Sequence, residues 1–236
     1  MKIVILTTDT THHLYFAWKI ASLYPLTAVF FETKKHEPPF AVTHPFEQER
    51  DAYEREHLLV GFRGGWNDLA EIRSVRNMND AGSVSLLGGF SPEAILVFGT
   101  GKLVPAVFEC ASLVALNLHG GNTEEYRGLD THLWAIYHED FDNLITTLHH
   151  LDATLDTGDI VCQSNLVFPR NARLHELRAV NTKVCTDLSL SALATLAATG
   201  SLPRRKQLRR GRYYSYMPAV LKDICVKKFE RYTAAV

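Results

Sequence analysis

Cysteine is scarce in this sequence and nowhere paired. Cys110, Cys162, Cys185 and Cys225 lie far apart, with no C-x-x-C motif, and three of them sit in apolar surroundings. That spacing fits buried thiols in a reducing compartment rather than a disulfide framework. Long hydrophobic runs are also missing. No stretch approaches the roughly 20 apolar residues of a membrane span. The apolar N-terminal run is too short for a signal peptide and is broken by Thr7-Thr8-Asp9. A soluble, cytoplasmic protein is expected. Net charge is nearly absent at −1, which suggests neither a nucleic-acid coat nor a membrane-surface protein. Despite eleven histidines there is no H-E-x-x-H and no Cys/His zinc spacing, so no metal is expected. The adjacent pairs His12-His13 and His149-His150 would face opposite ways on a strand, which argues against joint ligation. No internal repeat or low-complexity segment occurs.

With 236 residues, 46% of them hydrophobic, the chain can bury a full core as one domain, or one domain with a small appendage. Its charge is unevenly spread. From Pro203 onward, ten Lys or Arg face only Asp223 and Glu230, making that segment +8 and the remainder −9. Such asymmetry suits an anionic ligand or partner, and equally a solvated basic tail.

The opening KIVILTT is a β-branched, nearly continuous apolar run of the kind buried on both faces of a parallel sheet. A helix, LYFAWKIASL, and a second strand, PLTAVFFE, complete a β-α-β unit of about 30 residues. After a Pro-containing loop at 34–45, FEQERDAYEREHLL reads as a helix, and the signal over 62–80 is weak. AILVFGT, LVALNLHGG, LITTLHHL and DIVCQSNLVF read as strands, LVPAVFECA as a short helix, and 174–199 as a long helix ended by Gly200. Alternation of this kind predicts an α/β fold: a Rossmann-like, mostly parallel sheet with helices on both faces over 1–200, and a small C-terminal hairpin or helix over 201–236. Ligands in such folds bind outside the carboxyl ends of the strands. Here those ends carry Thr7-Thr8-Asp9, Phe98-Gly99-Thr100-Gly101, Asn117-Leu118-His119-Gly120-Gly121 and the turn before Asp156.

At spacing i, i+2, Asn117 and His119 share one face of a strand end. An amide donor beside an imidazole meets the two demands of acyl transfer, holding an oxyanion and moving a proton. Read alone, strand-end Asn and His more often bond backbone, and Asp156, in Asp156-Thr157-Gly158, reads as a turn aspartate bonding its own backbone.

The order NLHGG, EYRGLDTHLWAI, TTLHHLDATLDTGDIV resembles the folate-dependent formyltransferase family over roughly residues 1–170. The shared parts are Asn117 and His119, Tyr126-Arg127-Gly128, and Asp156 with Gly158, and His149 falls where the family often has a histidine. The resemblance implies N10-formyltetrahydrofolate as cosubstrate and Asn117, His119 and Asp156 as catalytic residues. Asn117 would donate to the oxyanion, His119 would stabilise it or relay a proton, and Asp156 would orient the imidazole and hold a water. Phe98, Gly99, Thr100, Gly101 and Lys102 would border the pterin, facing the turn of Leu151, Asp152 and Leu155. For the acceptor, the turn with Asp9 and His12 stands where glycinamide ribonucleotide enzymes cradle a phosphate, and an aspartate there would repel one, which argues against that substrate. The 36 residues after Gly200 are expected to be too few for the tRNA-gripping β-barrel of methionyl-tRNA formyltransferases, and no regulatory domain is expected before residue 2.

What remains resembles the sugar N-formyltransferases, which act on nucleotide-linked sugars such as dTDP-amino sugars in lipopolysaccharide O-antigen biosynthesis. Gly120 replaces their usual Pro, and residues 122–125 replace a more apolar segment. The candidate acceptor-binding residues are Asp9, His12, Tyr126, Arg127, Gly128, His132, Trp134, Tyr213 and Tyr214. Tyr213 and Tyr214 suit stacking on a base or binding a diphosphate, and equally a homodimer surface; Trp134 suits core packing as well. A formyltransferase for another small amine, of hydroxyornithine or amino-acid type, and a non-catalytic folate- or nucleotide-sugar-binding module stay open. No nucleic-acid or membrane partner is expected.

Overall fold

A computed structural model describes residues 1–34 and 37–236. Its centre is a seven-stranded sheet in the order β3-β2-β1-β4-β5-β7-β8. The strands are β1 (Ile3–Thr7), β2 (Leu26–Glu32), β3 (Glu71–Val75), β4 (Ala94–Val97), β5 (Val114–His119), β7 (Ile145–His150) and β8 (Ile160–Asn165). The five strands from β3 to β5 run parallel, and β7 and β8 are antiparallel to their neighbours. A separate pair joins β6 (Tyr126–Gly128) to β9 (Arg212–Tyr214). The helices are α1 (Thr11–Ala21), α2 (Phe46–His57), α3 (Ala81–Gly89), α4 (Pro105–Phe108), α5 (Thr131–Tyr137), α6 (Leu177–Thr199) and α7 (Ala219–Ala235).

Alternation within β1 divides the core. Ile3 and Ile5 pack with Phe16 and Ile20 of α1 and Cys185 and Leu193 of α6. Val4 and Leu6 face Leu87 of α3 and Val107 of α4 on the other side. A strand covered by helices on both faces has no solvent side, which explains its unbroken apolar run. The mostly parallel α/β fold is as the sequence predicts. Helix α6 ends at Gly200 in the left-handed region, φ 74°, the usual conformation of a residue just past a helix C-terminus.

Several elements were not legible, among them β3, α3, β6 and α5. β3 is an edge strand, EIRSV, with little burial and so no apolar run to announce it. Helix α3 carries three glycines in AGSVSLLGG, which mask helical periodicity. At the C-terminus no hairpin forms among the described residues. Instead β9 lies parallel to β6, drawn there by Arg127, whose Nε donates to the Gly211 carbonyl at 2.7 Å, and the chain continues into α7. Pairing with a strand more than 80 residues earlier leaves no local turn signature.

Helix α7 is core rather than ornament. Met217, Cys225 and Phe229 are fully buried against α5 and the segment around Phe168. Among the described residues no helix is long and apolar enough to cross a membrane. Truncating Phe229, which meets the Phe168 ring edge-on at 4.9 Å, should cost about 3–5 kcal/mol. Urea unfolding of Phe229→Ala measures this; a loss below about 1 kcal/mol would mean that α7 is only loosely attached.

Candidate active site

At the carboxyl ends of β4 and β5 opens a cleft of about 410 Å³. One wall is the loop 98–103, the other is the turn 151–156 that follows β7, and Asn117, His119, His149, Gly128 and Tyr213 complete it. The loop wall is held closely. Gly99 has φ +89°, and a Cβ there would meet the His13 ring at 2.5 Å. Glu32, at the end of β2, accepts the Gly101 N–H at 2.9 Å and the Met78 N–H at 3.0 Å, anchoring the loop from below.

Hydrogen bonds to carbonyls fix both site histidines. His149 stands opposite Asn117 in the antiparallel β5–β7 pairing. Its Nδ1 donates to the His150 carbonyl at 2.8 Å, and its Nε2 is hydrogen-bonded to the Asn117 amide at 3.1 Å and lies 3.8 Å from Asp156 Oδ1. That bond orients the Asn117 carboxamide and leaves its second N–H for the cleft. His119 has the opposite tautomer: Nε2 donates to the Tyr126 carbonyl at 2.8 Å. The imidazole is thus oriented by backbone, and its Nδ1 faces Asp156 Oδ1 at 3.6 Å, beyond the reach of a direct hydrogen bond.

Asp156 is 6% exposed and holds a left-handed backbone, φ 54°, uncommon for a non-glycine residue. Burial alone would push its carboxyl pKa upward. The His119 and His149 rings and the Gly128 N–H, which donates to Oδ2 at 2.8 Å, outweigh burial and bring it down to about 2. The carboxylate is therefore ionised at neutral pH. Gly158 is required next to it, because a Cβ would stand 1.7 Å from the His150 carbonyl oxygen.

With this geometry in view, the comparisons with known proteins are informative. No family model matches the chain. Methionyl-tRNA formyltransferases from Chlorobium chlorochromatii (28% identical over 127 residues, 54% of this chain) and Methylacidiphilum infernorum (30% over 132 residues, 56% of this chain) are related in sequence. The matched stretch spans about two-fifths of their length, 40% and 41%. The chain thus resembles formyltransferases in sequence over part of their length. Its fold is shared with the formyltransferase PseJ from Anoxybacillus kamchatkensis, solved with UDP-4,6-dideoxy-4-formamido-L-AltNAc and tetrahydrofolate (TM-score 0.55, 18% identical, covering 91% of this chain and 86% of that one). A 4-N formyltransferase from Francisella tularensis (0.60, 17%, 91% and 76%) has the same fold. So does HypX from Aquifex aeolicus in complex with tetrahydrofolic acid (0.58, 16%, 99% and 34%).

The residues singled out from sequence fall into two groups. Asn117, His119, Asp156, Phe98, Gly99, Thr100, Gly101, Lys102, Leu151, Asp152, Leu155, Gly128 and Tyr213 all line the one cleft. The others lie outside it. Asp9 accepts from the Trp66 indole at 2.8 Å, and His12 is buried 3.6 Å from Glu54, its pKa held well below the usual histidine value by burial. The Tyr126 hydroxyl donates to Asp140 at 2.8 Å, and its ring stacks on Tyr214. Arg127 is 6% exposed, with Nε and Nη1 given to the carbonyls of Gly211 and Leu155. His132 donates to the Ile145 carbonyl at 2.9 Å, and Trp134 stacks on Tyr214 while donating to the Ser215 carbonyl. His149 and Glu32 were not singled out as site residues. His149 was noted as falling where the family often has a histidine, but its place opposite Asn117 depends on strand register.

A depressed carboxyl pKa carries stability that is complete above the unfolded value near 3.9 and lost as pH falls toward the folded value. The unfolding free energy of the wild type relative to Asp156→Asn should therefore be flat above about pH 4 and shrink by roughly 2 kcal/mol towards pH 2. Chemical denaturation of both proteins across that range measures it; a constant difference would mean that the buried carboxylate gains nothing from its partners.

Proposed function

We propose that this protein transfers the formyl group of N10-formyltetrahydrofolate to the amine of a nucleotide-linked amino-deoxy sugar. The observation that carries this reading is the meeting of a carboxamide, an imidazole and a carboxylate from separate chain segments in one cleft. A flat pterin fits between the glycine-bearing loop 98–103 and the turn 151–156, where main chain is available to bond its edge. Tetrahydrofolate or tetrahydrofolic acid in the solved structures of PseJ and HypX supports a folate donor.

Chemically, an amine lone pair adds to the formyl carbon, and the carbonyl electron pair moves onto oxygen. The free N–H of Asn117 donates to that oxygen. Collapse re-forms the carbonyl and breaks the bond to the folate nitrogen, which takes up a proton as the amine loses one. His119 Nδ1, beside the ionised Asp156, is the group to carry that proton, and the carboxylate stabilises the imidazolium while it does so. For the acceptor, a second cavity of about 150 Å³ adjoins the cleft at Gly120, lined by His132, Arg50, Arg178 and Asn181. Tyr213, half exposed at the cleft mouth, offers a ring for stacking. The 4-N formyltransferase and the PseJ sugar complex favour an amino sugar over other small amines.

Incubation with N10-formyltetrahydrofolate and a panel of nucleotide-linked amino sugars tests this, with tetrahydrofolate release as the readout. Release only with an amino sugar is expected. Release with other amines would redirect the assignment to hydroxyornithine- or amino-acid-type acceptors, and folate binding without release would indicate a binding module. Asn117→Ala, His119→Ala and Asp156→Ala should each lower turnover by about 10²–10³-fold or more while the protein still folds. An active His119→Ala enzyme would contradict the assignment.

A further inference from the structure

The C-terminal segment crosses the site without lining the bottom of the cleft. Residues 205–211 run between two pieces of chain that have no strand pairing with each other. On one side is the turn bearing Asp156, and on the other is the turn at 124–126 whose last carbonyl orients His119. Arg205 exchanges two backbone hydrogen bonds with Ile160, at 2.8 and 3.0 Å, just beyond the Asp156 turn. The Gln207 amide then donates through Nε2 to the carbonyls of both Asp156, at 3.1 Å, and Gly158, at 2.9 Å. Its Oε1 is buried without a hydrogen-bond partner among the described residues, so Nε2 is the only end of that amide that is anchored.

Toward His119 the same segment is clipped just as firmly. Glu124 receives both guanidinium ends of Arg205, at 3.2 and 3.0 Å, and the Leu208 N–H at 2.6 Å. Arg209 pairs with Glu125, and the Arg212 N–H donates to the Glu125 carbonyl at 2.8 Å. Arg127 closes the frame between them, donating to Gly211 at 2.7 Å and to Leu155 at 2.8 Å.

We propose that residues 205–211 act as a splint that sets the separation of His119 and Asp156, with Gln207 as its positioning residue. Asp156 occupies a left-handed conformation that an isolated chain disfavours, so external donors on the turn's carbonyls keep it there. Gln207 touches neither reacting atom nor cosubstrate; it acts through the backbone of the turn. The groups facing Asp156 are His119 from β5, Arg127 and the Gly128 N–H from β6, and His149 from β7. Release of the turn moves the carboxylate away from these partners and leaves burial as the remaining influence, so its pKa rises.

The kinetic part of the test rests on the formyl-transfer reading, and the spectroscopic part does not. Carboxyl ¹³C NMR of aspartate-labelled protein, with Asp156 assigned by comparison with Asp156→Asn, is followed from pH 7 to pH 4 in the wild type, Gln207→Ala, Gln207→Met and the exposed-site control Leu208→Ala. The Asp156 signal is expected to stay flat in the wild type and Leu208→Ala and to titrate within that window in both Gln207 variants. Gln207→Met keeps side-chain bulk, so it serves if Gln207→Ala does not fold. With an amino sugar that supports turnover, kcat should fall by about 10²-fold at unchanged KM for N10-formyltetrahydrofolate. A folded Gln207 variant with a flat Asp156 signal overturns the splint, whatever the transfer assay gives. Displaced titration in a protein that transfers no formyl group supports the splint and counts against the proposed function instead.

Discussion

The antiparallel pairing of β7 with β5 is the constraint from which the rest of the site follows. Up to β5 every strand arrives through a crossover and points the same way, so their carboxyl ends supply loops at one edge only. Reversal at β7 sets His149 directly across from Asn117. The chain leaving β7 then turns beside the end of β4 and returns as β8. The two walls of the cleft follow strands of opposite direction, and Asn117, His119 and His149 sit where those directions meet.

Backbone carbonyls divide the chemistry between the two histidines. Each ring gives one N–H to a carbonyl, His149 through Nδ1 and His119 through Nε2. The remaining nitrogens, His149 Nε2 and His119 Nδ1, both approach Asp156 Oδ1, at 3.8 and 3.6 Å, and His149 Nε2 also meets the Asn117 amide at 3.1 Å. Two chemically identical side chains on neighbouring strands thus differ in which ring nitrogen the main chain takes and in whether the other reaches Asn117.

Most of the sheet was legible because its central strands are covered on both faces and therefore read as apolar runs. β3 escaped because an edge strand needs no such run, and α3 because its glycines blur the helical period. In the cleft, polar and glycine residues at strand ends pointed to the loop 98–102, the end of β5 and the turn at Asp156, and the family resemblance singled out Asn117, His119 and Asp156 as a set. Strand register was not legible, and it is register that brings His149 opposite Asn117. Nor could sequence separate a residue's backbone from its side chain as the useful part. Tyr126 and Gly128 stand in the motif that was singled out, yet Tyr126 serves His119 through its carbonyl and Gly128 serves Asp156 through its N–H. Arg127 between them was taken for an acceptor contact, and its Nε and Nη1 are spent on two carbonyls of the frame.

This use of main chain explains why so short a motif can carry so much. A buried carboxylate is tolerated only when its partners are fixed, because each ångström of retreat exposes the penalty of burial. At Asp156 the fixed partners are a peptide N–H and two rings whose own orientations are set by peptide carbonyls. Peptide groups in a strand or tight turn cannot rotate away as a side chain can, so the immediate partners of the charge are held firmly. The dependence runs in both directions. The carboxylate's hydrogen bond to Gly128 also ties β6 to the turn after β7, and through β6 to β9 and the C-terminal segment. The +8 charge of residues 203–236 is spent accordingly. Arg205 and Arg209 neutralise Glu124 and Glu125 at the site's edge, and Lys222 pairs with Glu47 on α2. Much of that basic excess thus serves to fasten the last stretch of chain over acidic residues that precede it, and the apparent tail is part of the frame that keeps one buried charge in place.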